Sequence, residues 1–278
     1  VGGTGAQRDG LAGVGGPLRS GGESLPPVAI LCGGRGARLR EHTEEIPKPL
    51  VEIGGMPILW HVIRCYAFHG FDRFLLATGY RGEQIESFVL QTPWPAGVEV
   101  RCIDTGLDTA TGGRLQRLAP ALADTPRFCA TYADGLADLD LRALLDEHAV
   151  HAAGGILATM TVVRPQLQFG VTELTDGDLV SGFREKPRSE HWINGGFFCF
   201  EAGVLPRLAP DSVLEREPLA GLAADGRLRA HRHTGFWECM DTYKDAVALN
   251  DMWHDGCAPW ALWEQRRPAA PRREASLA

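Results

Sequence analysis

The sequence predicts an open α/β fold, a mostly parallel β-sheet with helices packed on its faces. Three observations lead there. The chain has 278 residues, 44% of them apolar, enough for one large α/β core. Its first apolar run, Val28-Ala29-Ile30-Leu31-Cys32, is short, wholly apolar and ended by glycines, the pattern of a buried parallel strand feeding a loop. From there to residue 151 strand-like and helix-like segments alternate, which favours parallel strands joined by helical crossovers.

The elements follow in order. Residues 57–69 have helical apolar spacing, with Pro57 at the first turn and Gly70 as the stop. Arg73 to Thr78 reads as a strand and Glu83 to Leu90 as a helix. Val98 to Ile103 and Phe128 to Tyr132 read as further strands. Leu139 to His151 is an amphipathic helix, with Asp138 expected as its cap. The second half is richer in strands: Gly155 to Val163, Gly170 to Leu174, Leu179 to Arg184 and Ile193 to Phe200. Thr175-Asp176-Gly177-Asp178 is expected to turn one pair into a hairpin. Two helical stretches follow, near 215–225 and 242–254. Residues 1–26, rich in Gly, Ser and Pro, read as a disordered leader, and 264–278 as a disordered tail. The folded body is expected over 27–263.

Bulk composition excludes several classes. A net charge of −7 argues against a nucleic-acid partner, which calls for basic patches. No apolar run approaches the roughly 20 residues that span a bilayer, and the start of the chain lacks the apolar stretch of a secretory signal. No membrane is expected as a partner, and the location is expected to be cytoplasmic. Seven scattered cysteines with no Cys-x-x-Cys pair indicate neither a zinc site nor a disulfide framework. Lysine is scarce: Lys48, Lys186 and Lys244 stand against 25 arginines. An ammonium is a compact point charge where a guanidinium is a planar fork, so each lysine is a candidate for a particular contact. Lys244 lies in no motif and reads as a helix-surface residue. Trp60 and His61, at helical spacing, read as core, and His148 and His151 as structural.

The chemistry starts at the loop after the first strand, Cys32-Gly33-Gly34-Arg35-Gly36-Ala37-Arg38-Leu39. Glycines let a backbone bring its N–H groups against phosphate oxygens, and open α/β sheets bind ligands beyond the carboxyl ends of their strands. The dinucleotide pattern Gly-x-Gly-x-x-Gly fails, because Leu39 stands at its third position. A Walker loop fails for want of Gly-Lys-Ser/Thr. Ten residues beyond Arg38 lies Lys48, between Pro47 and Pro49. Pro49 is expected to hold Lys48 extended, so that a stiff segment aims the ammonium.

Gly-Gly-x-Gly-x-Arg-Leu followed by Pro-Lys-Pro resembles the signature of the sugar-1-phosphate nucleotidyltransferases. Val51 to His61 is more narrowly similar to glucose-1-phosphate cytidylyltransferases. So are Thr111-Gly112-Gly113-Arg114-Leu115, Tyr132 to Asp138, Ile193 to Phe198 and Gly235 to Thr242. The resemblance covers residues 27–263. It departs from the family at Ala133, where glycine is usual, and at Arg81 to Ile103, which is shorter than in the cytidylyltransferases.

The resemblance implies a Rossmann-like sheet of the nucleotide-diphospho-sugar transferase type, with a smaller strand-rich sugar-binding part. It implies transfer of a nucleotidyl group from a nucleoside triphosphate, CTP by this match, to a sugar 1-phosphate, here glucose 1-phosphate. The products are an NDP-sugar and pyrophosphate, the cofactor Mg2+, and the protein a homo-oligomer. It implies that Arg38 holds the leaving phosphates, Lys48 lies near the α-phosphorus and Lys186 binds the sugar phosphate. Cys32, Gly33, Gly34 and Gly36, with a turn at Thr111, Gly112 and Gly113, would bind the nucleotide. Gly170, Glu185, Asn194 and Gly195 would join Lys186 around the sugar. Asp134 and Asp241, each expected at the end of a strand, would bind the metal, since Mg2+ sites with phosphates use one or two carboxylates. Two alternatives stay open: the same reaction with another triphosphate or sugar phosphate, and a non-catalytic NDP-sugar-binding protein.

Overall fold

A computed structural model describes residues 24–36 and 46–265. Its centre is a seven-stranded sheet. In chain order its strands are β1 (Val28–Leu31), β4 (Arg73–Thr78), β5 (Glu99–Asp104), β6 (Arg127–Tyr132), β8 (Ala158–Val163), β11 (Ile193–Glu201) and β12 (Leu228–Arg232). Across the sheet they lie in the order β12-β8-β11-β6-β1-β4-β5. Only β11 runs against its neighbours, pairing antiparallel with both β6 and β8; the other adjacent pairs are parallel. Three small antiparallel pairs lie outside this sheet: β2 (Glu52–Ile53) with β3 (Met56–Pro57), β7 (Gly135–Ala137) with β13 (Trp237–Cys239), and β9 (Val171–Leu174) with β10 (Val180–Arg184).

The apolar runs are continuous because both faces of the sheet are covered. Val28, Ile30, Phe74 and Leu76 point into one core, with the helix α1 (Ile58–Phe68). Ala29, Leu75, Ala77, Phe128 and Ala130 point into the other. The remaining helices are α2 (Gly82–Gln91), α3 (Thr111–Arg117), α4 (Leu141–Ala152), α5 (Glu217–Ala224), α6 (Tyr243–His254) and α7 (Leu262–Gln265). The expected hairpin forms: Thr175 N–H donates to the Leu179 carbonyl at 2.9 Å, with Gly177 at φ 109°.

Two local expectations are corrected. Asp138 does not cap α4. Asp140 does, accepting from the N–H groups of Arg142 and Ala143 at 3.0 Å each. Asp138 instead accepts from Phe236 N–H at 2.8 Å and lies 3.0 Å from His233, so it joins β7 to β13. Lys48 is not extended. It opens a 3-10 turn over Lys48–Leu50, closed by Leu50 N–H to the Pro47 carbonyl at 2.8 Å and Val51 N–H to the Lys48 carbonyl at 3.1 Å. Those bonds outweigh the extended preference of a residue before proline. Ordered contacts also pass the expected ends of the body. Arg73 donates to the Leu25 carbonyl at 3.1 Å, and Glu264 lies in α7. The rest of the expected leader and tail, 1–23 and 266–278, lies outside the described residues.

His61 and Trp60 pack as expected. His61 is fully buried beside Trp60, Trp253, Trp260 and Trp263. Its Nε2 bonds the Ile53 carbonyl at 2.8 Å, and Trp260 Nε1 donates to its Nδ1 at 3.3 Å, which fixes the neutral Nε2–H tautomer. Burial pulls its pKa down to about 4, outweighing backbone bonds that favour the charged form. The unfolded chain therefore takes this proton first, near pH 6.5. Stability contributed by neutral His61 is complete above that pH and declines as the pH falls toward 4, by about 3 kcal/mol in all. Urea unfolding of wild type and His61→Gln between pH 7 and 4.5 checks this: the wild type is expected to lose more stability than the variant.

Candidate active site

The short β7–β13 pair brings two distant aspartates together. Asp134 lies just before β7 and Asp241 two residues beyond the end of β13. Cys239 faces Gly135, and Met240 N–H donates to the Asp134 carbonyl at 2.9 Å. Asp134 also lies two residues past the carboxyl end of β6, next to β1 and its glycine loop. The Lys48 turn reaches the same place. Its ammonium lies 2.5 Å from Asp134 Oδ2 and 2.7 Å from Asp241 Oδ1. The Lys48 side chain is 14% exposed, so the pair is only partly screened by water. Burial, the largest influence, lowers the Lys48 pKa, but Asp134 and Asp241 outweigh it and the net shift is upward. Lys48 is thus held as a cation.

Three candidate donor atoms, from Asp134, Cys239 and Asp241, lie within 4.8 Å of one another. The donor set fits Mg2+: two carboxylates converge on a point already held by an ammonium, and Mg2+ takes one or two carboxylates and shares its other positions with phosphates and water. Cys239 is a soft donor that Mg2+ does not select. Burial, followed by the charges of Asp134 and Asp241, pushes its thiol pKa well up, which keeps it protonated.

The glycine loop is built on a residue absent from the sequence-based site. Arg114, on α3, is 4% exposed. Its guanidinium donates to the carbonyls of Gly33 at 2.9 Å, Thr78 at 2.9 Å, Gly106 at 2.9 Å and Leu107 at 3.2 Å, and to the Thr105 hydroxyl at 2.7 Å. One side chain thus ties together the ends of β1, β4 and β5. A Cβ on Gly33 would fall about 2.0 Å from that guanidinium, so this glycine is required by Arg114. Cys32 is buried beneath the loop, Gly34 faces open space, and Gly36 has φ 60°. Arg38 lies outside the described residues.

Thr111, Gly112 and Gly113, expected as a separate turn, instead open a helix. They are the first turn of α3, packed on the segment 209–215. A Cβ on Gly113 would lie 2.1 Å from the Pro210 carbonyl oxygen. The Thr111 hydroxyl donates to Glu215 at 2.7 Å and accepts from Leu214 N–H at 2.9 Å. Glu215 also accepts from the Tyr132 hydroxyl, which Asn194 meets at 3.3 Å. Glu215 and Tyr132 therefore link the expected nucleotide segment to the expected sugar segment.

Of the other sugar candidates, Gly170 faces the Phe183 ring and Glu185, and the Gly195 carbonyl accepts from Trp237 Nε1 at 2.7 Å. Lys186, at φ 43°, lines a cleft of about 260 Å³ with Gln166, Glu238, Asp245 and Lys244. Lys244 is an exposed helix residue, as expected, and lines the same cleft as Lys186. Burial and then Asp245 raise the Glu238 pKa.

Comparison with known proteins places this geometry. The nucleotidyl transferase family model matches residues 28–265. The chain belongs to the nucleotidyl transferase family. A glucose-1-phosphate cytidylyltransferase of Salmonella typhimurium is 40% identical over 263 residues, 85% of this chain and 99% of that protein. A mannose-1-phosphate guanylyltransferase catalytic subunit beta of Drosophila melanogaster is 31% identical over 221 residues, 78% of this chain and 59% of that protein. Among solved structures, HddC from Yersinia pseudotuberculosis has a TM-score of 0.64 at 20% identity, covering 82% of this chain and all of that one. A UDP-glucose pyrophosphorylase complexed with UDP-glucose has a TM-score of 0.63 at 14% identity, covering 84% and 99%. The structural likenesses confirm the Rossmann-like, mostly parallel sheet expected for this nucleotidyl transferase chain. Among its described residues no helix is long and apolar enough to cross a membrane.

The ammonium of Lys48 occupies the point on which the two carboxylates converge, so it would compete with a divalent ion bound there. Lys48→Met is expected to raise the affinity of the ligand-free protein for Mn2+ by about 10-fold or more, the equivalent of ~1.4 kcal/mol. Titration followed by electron paramagnetic resonance of free Mn2+ measures it; equal or weaker binding would contradict the competition.

Proposed function

We propose that this chain transfers a cytidylyl group from CTP to glucose 1-phosphate, forming CDP-glucose and pyrophosphate. The observation that carries the proposal is the convergence of Lys48, Asp134 and Asp241 at the carboxyl edge of the sheet, beside the glycine loop. The substrate pair is supported by the 40% identity to a glucose-1-phosphate cytidylyltransferase across nearly its whole length.

A phosphate oxygen of the sugar phosphate attacks the α-phosphorus of the triphosphate, and pyrophosphate leaves from the opposite side. The attacking oxygen is already anionic, so no general base is needed. Catalysis rests on positioning and on neutralising charge. In this proposal Arg38 and the backbone of Cys32, Gly33, Gly34 and Gly36 hold the triphosphate, with Thr111, Gly112 and Gly113 beside the nucleotide. Lys186 holds the sugar phosphate, and Gly170, Glu185, Asn194 and Gly195 bound the sugar. Asp134 and Asp241 would hold Mg2+, which supplies charge neutralisation at the phosphate oxygens when bound. Lys48, released from the two carboxylates, turns its ammonium to the α-phosphate.

The proposal includes a cytoplasmic location and a homo-oligomeric assembly. Seven thiols without a disulfide support the first, including the Cys129 and Cys199 pair, 3.6 Å apart and unbonded. The assembly is supported by the apolar side chains of Leu174, Val180 and Phe183, exposed on the β9–β10 hairpin.

Pyrophosphate release, measured for each common triphosphate against a panel of sugar 1-phosphates with Mg2+, is expected to be fastest for CTP with glucose 1-phosphate. No release with any pair would defeat the enzymatic reading, and release with a purine triphosphate alone would defeat the cytidylyl assignment. Asp134→Asn and Lys186→Ala are each expected to lose activity by about 100-fold or more, the scale of a removed charge-stabilising group. Wild-type rates in either variant would refute the site.

A further inference from the structure

We propose that Asn250 is a positioning residue, whose side-chain amide sets the Lys48 segment against the Asp134–Asp241 pair. Its Oδ1 accepts from Gly54 N–H at 2.8 Å, and its Nδ2 donates to the Glu52 carbonyl at 3.1 Å and to the Ala246 carbonyl of its own helix at 2.9 Å. Glu52 lies four residues beyond Lys48, and the intervening chain is the closed 3-10 turn and Val51. The same amide therefore holds β2 and the first residue of the β2–β3 turn that follows Lys48.

The opposite end of α6 holds the metal side of the site. Thr242 and Asp245 form a reciprocal cap, and Asp245 Oδ2 accepts from Asp241 N–H at 3.0 Å and Thr242 N–H at 2.7 Å. Asn250 lies five residues further along, about 7.5 Å at the rise of an α-helix. One rigid helix thus fixes the backbone of Asp241 and, through Asn250, the backbone next to Lys48. A two-residue strand pair has little stability of its own, so bonds from outside determine where it lies. The fit leaves no slack: a Cβ on Gly54, at φ +61°, would fall about 2.1 Å from the Trp253 ring.

Asparagine is suited to this task because its amide accepts and donates at once. Aspartate can keep the bond from Gly54 N–H but cannot donate to Glu52, and leucine of similar size can do neither. A displacement of about 1 Å at a reacting group can cost ~100-fold in rate.

The test compares Asn250→Asp, Asn250→Leu and Gly54→Ala, with Leu222→Ala as a control that destabilises the other core. The kinetic arm rests on the proposed function. There kcat is expected to fall by ~100-fold in Asn250→Leu and by less in Asn250→Asp, with KM for both substrates near wild type. Gly54→Ala is expected to lower kcat as well, and Leu222→Ala to leave it unchanged despite a lower Tm. The second arm needs no turnover: with Lys48 less firmly held between the carboxylates, the ligand-free Asn250 variants are expected to bind Mn2+ more tightly than wild type. General structural damage would weaken that binding. Wild-type kcat in Asn250→Leu, an equal loss of kcat in Leu222→Ala, or unchanged or weaker Mn2+ binding in the variants would each overturn the proposal. If Asn250→Leu does not fold, Asn250→Asp and Gly54→Ala carry both arms. A wild type that releases no pyrophosphate counts against the proposed function alone, and Mn2+ binding still decides for Asn250.

Discussion

The ammonium of Lys48 between the carboxylates of Asp134 and Asp241 is the interaction on which the rest of the site depends. Two carboxylates this close repel one another unless a cation lies between them. The fold supplies one from a segment 86 residues before Asp134 and 193 before Asp241. Each partner is placed by its own device. The Lys48 turn is closed by its own backbone bonds, Asp134 follows the end of β6, and Asp241 is brought beside it by the β7–β13 pair. A site assembled this way has half of its carboxylate charge neutralised before substrate arrives, by a cation that can change partners.

Beneath that surface, Arg114 does for the loops what Lys48 does for the carboxylates. Carbonyls crowd at the carboxyl ends of parallel strands, and buried carbonyls call for donors. A single guanidinium with five N–H groups satisfies acceptors after β1, β4 and β5 together. The glycine loop thereby has a fixed underside, while Gly34 leaves its upper side open. The shape of the glycine loop thus follows from hydrogen-bond satisfaction at one edge of the sheet.

Much of this was legible in the sequence, for identifiable reasons. Strands such as Arg73 to Thr78 are legible because both faces are buried and the run Phe74 to Ala77 is uniformly apolar. Asp134 and Asp241 are singled out by the family resemblance and by their place after strands, and Lys48 because lysine is scarce and prolines flank it; the structure brings the three together. Contacts that link distant segments through the backbone were not legible. Arg114 stood in a recognised motif, but nothing in its spacing said that it would be buried beneath the glycine loop. Thr111 to Gly113 are expected as a turn from the family resemblance, whereas here glycine permits α3 to pack on the Pro210 carbonyl. Asp138 and Asp140 are equally good caps by residue type, and only the β7–β13 pairing assigns Asp138 elsewhere. Asn250 carried no signal, because an asparagine inside a helix shows its partners only once the β2–β3 turn is folded against it.

The central claim is that the Asp134–Asp241 pair is where a divalent ion supports nucleotidyl transfer. Its most direct test is single-turnover conversion of CTP and glucose 1-phosphate by excess protein, with Mg2+ at saturation, for wild type and Asp241→Asn. The account predicts CDP-glucose and pyrophosphate in equal amounts from the wild type, formed about 100-fold or more slowly by the variant. Equal rates in the two proteins would contradict it.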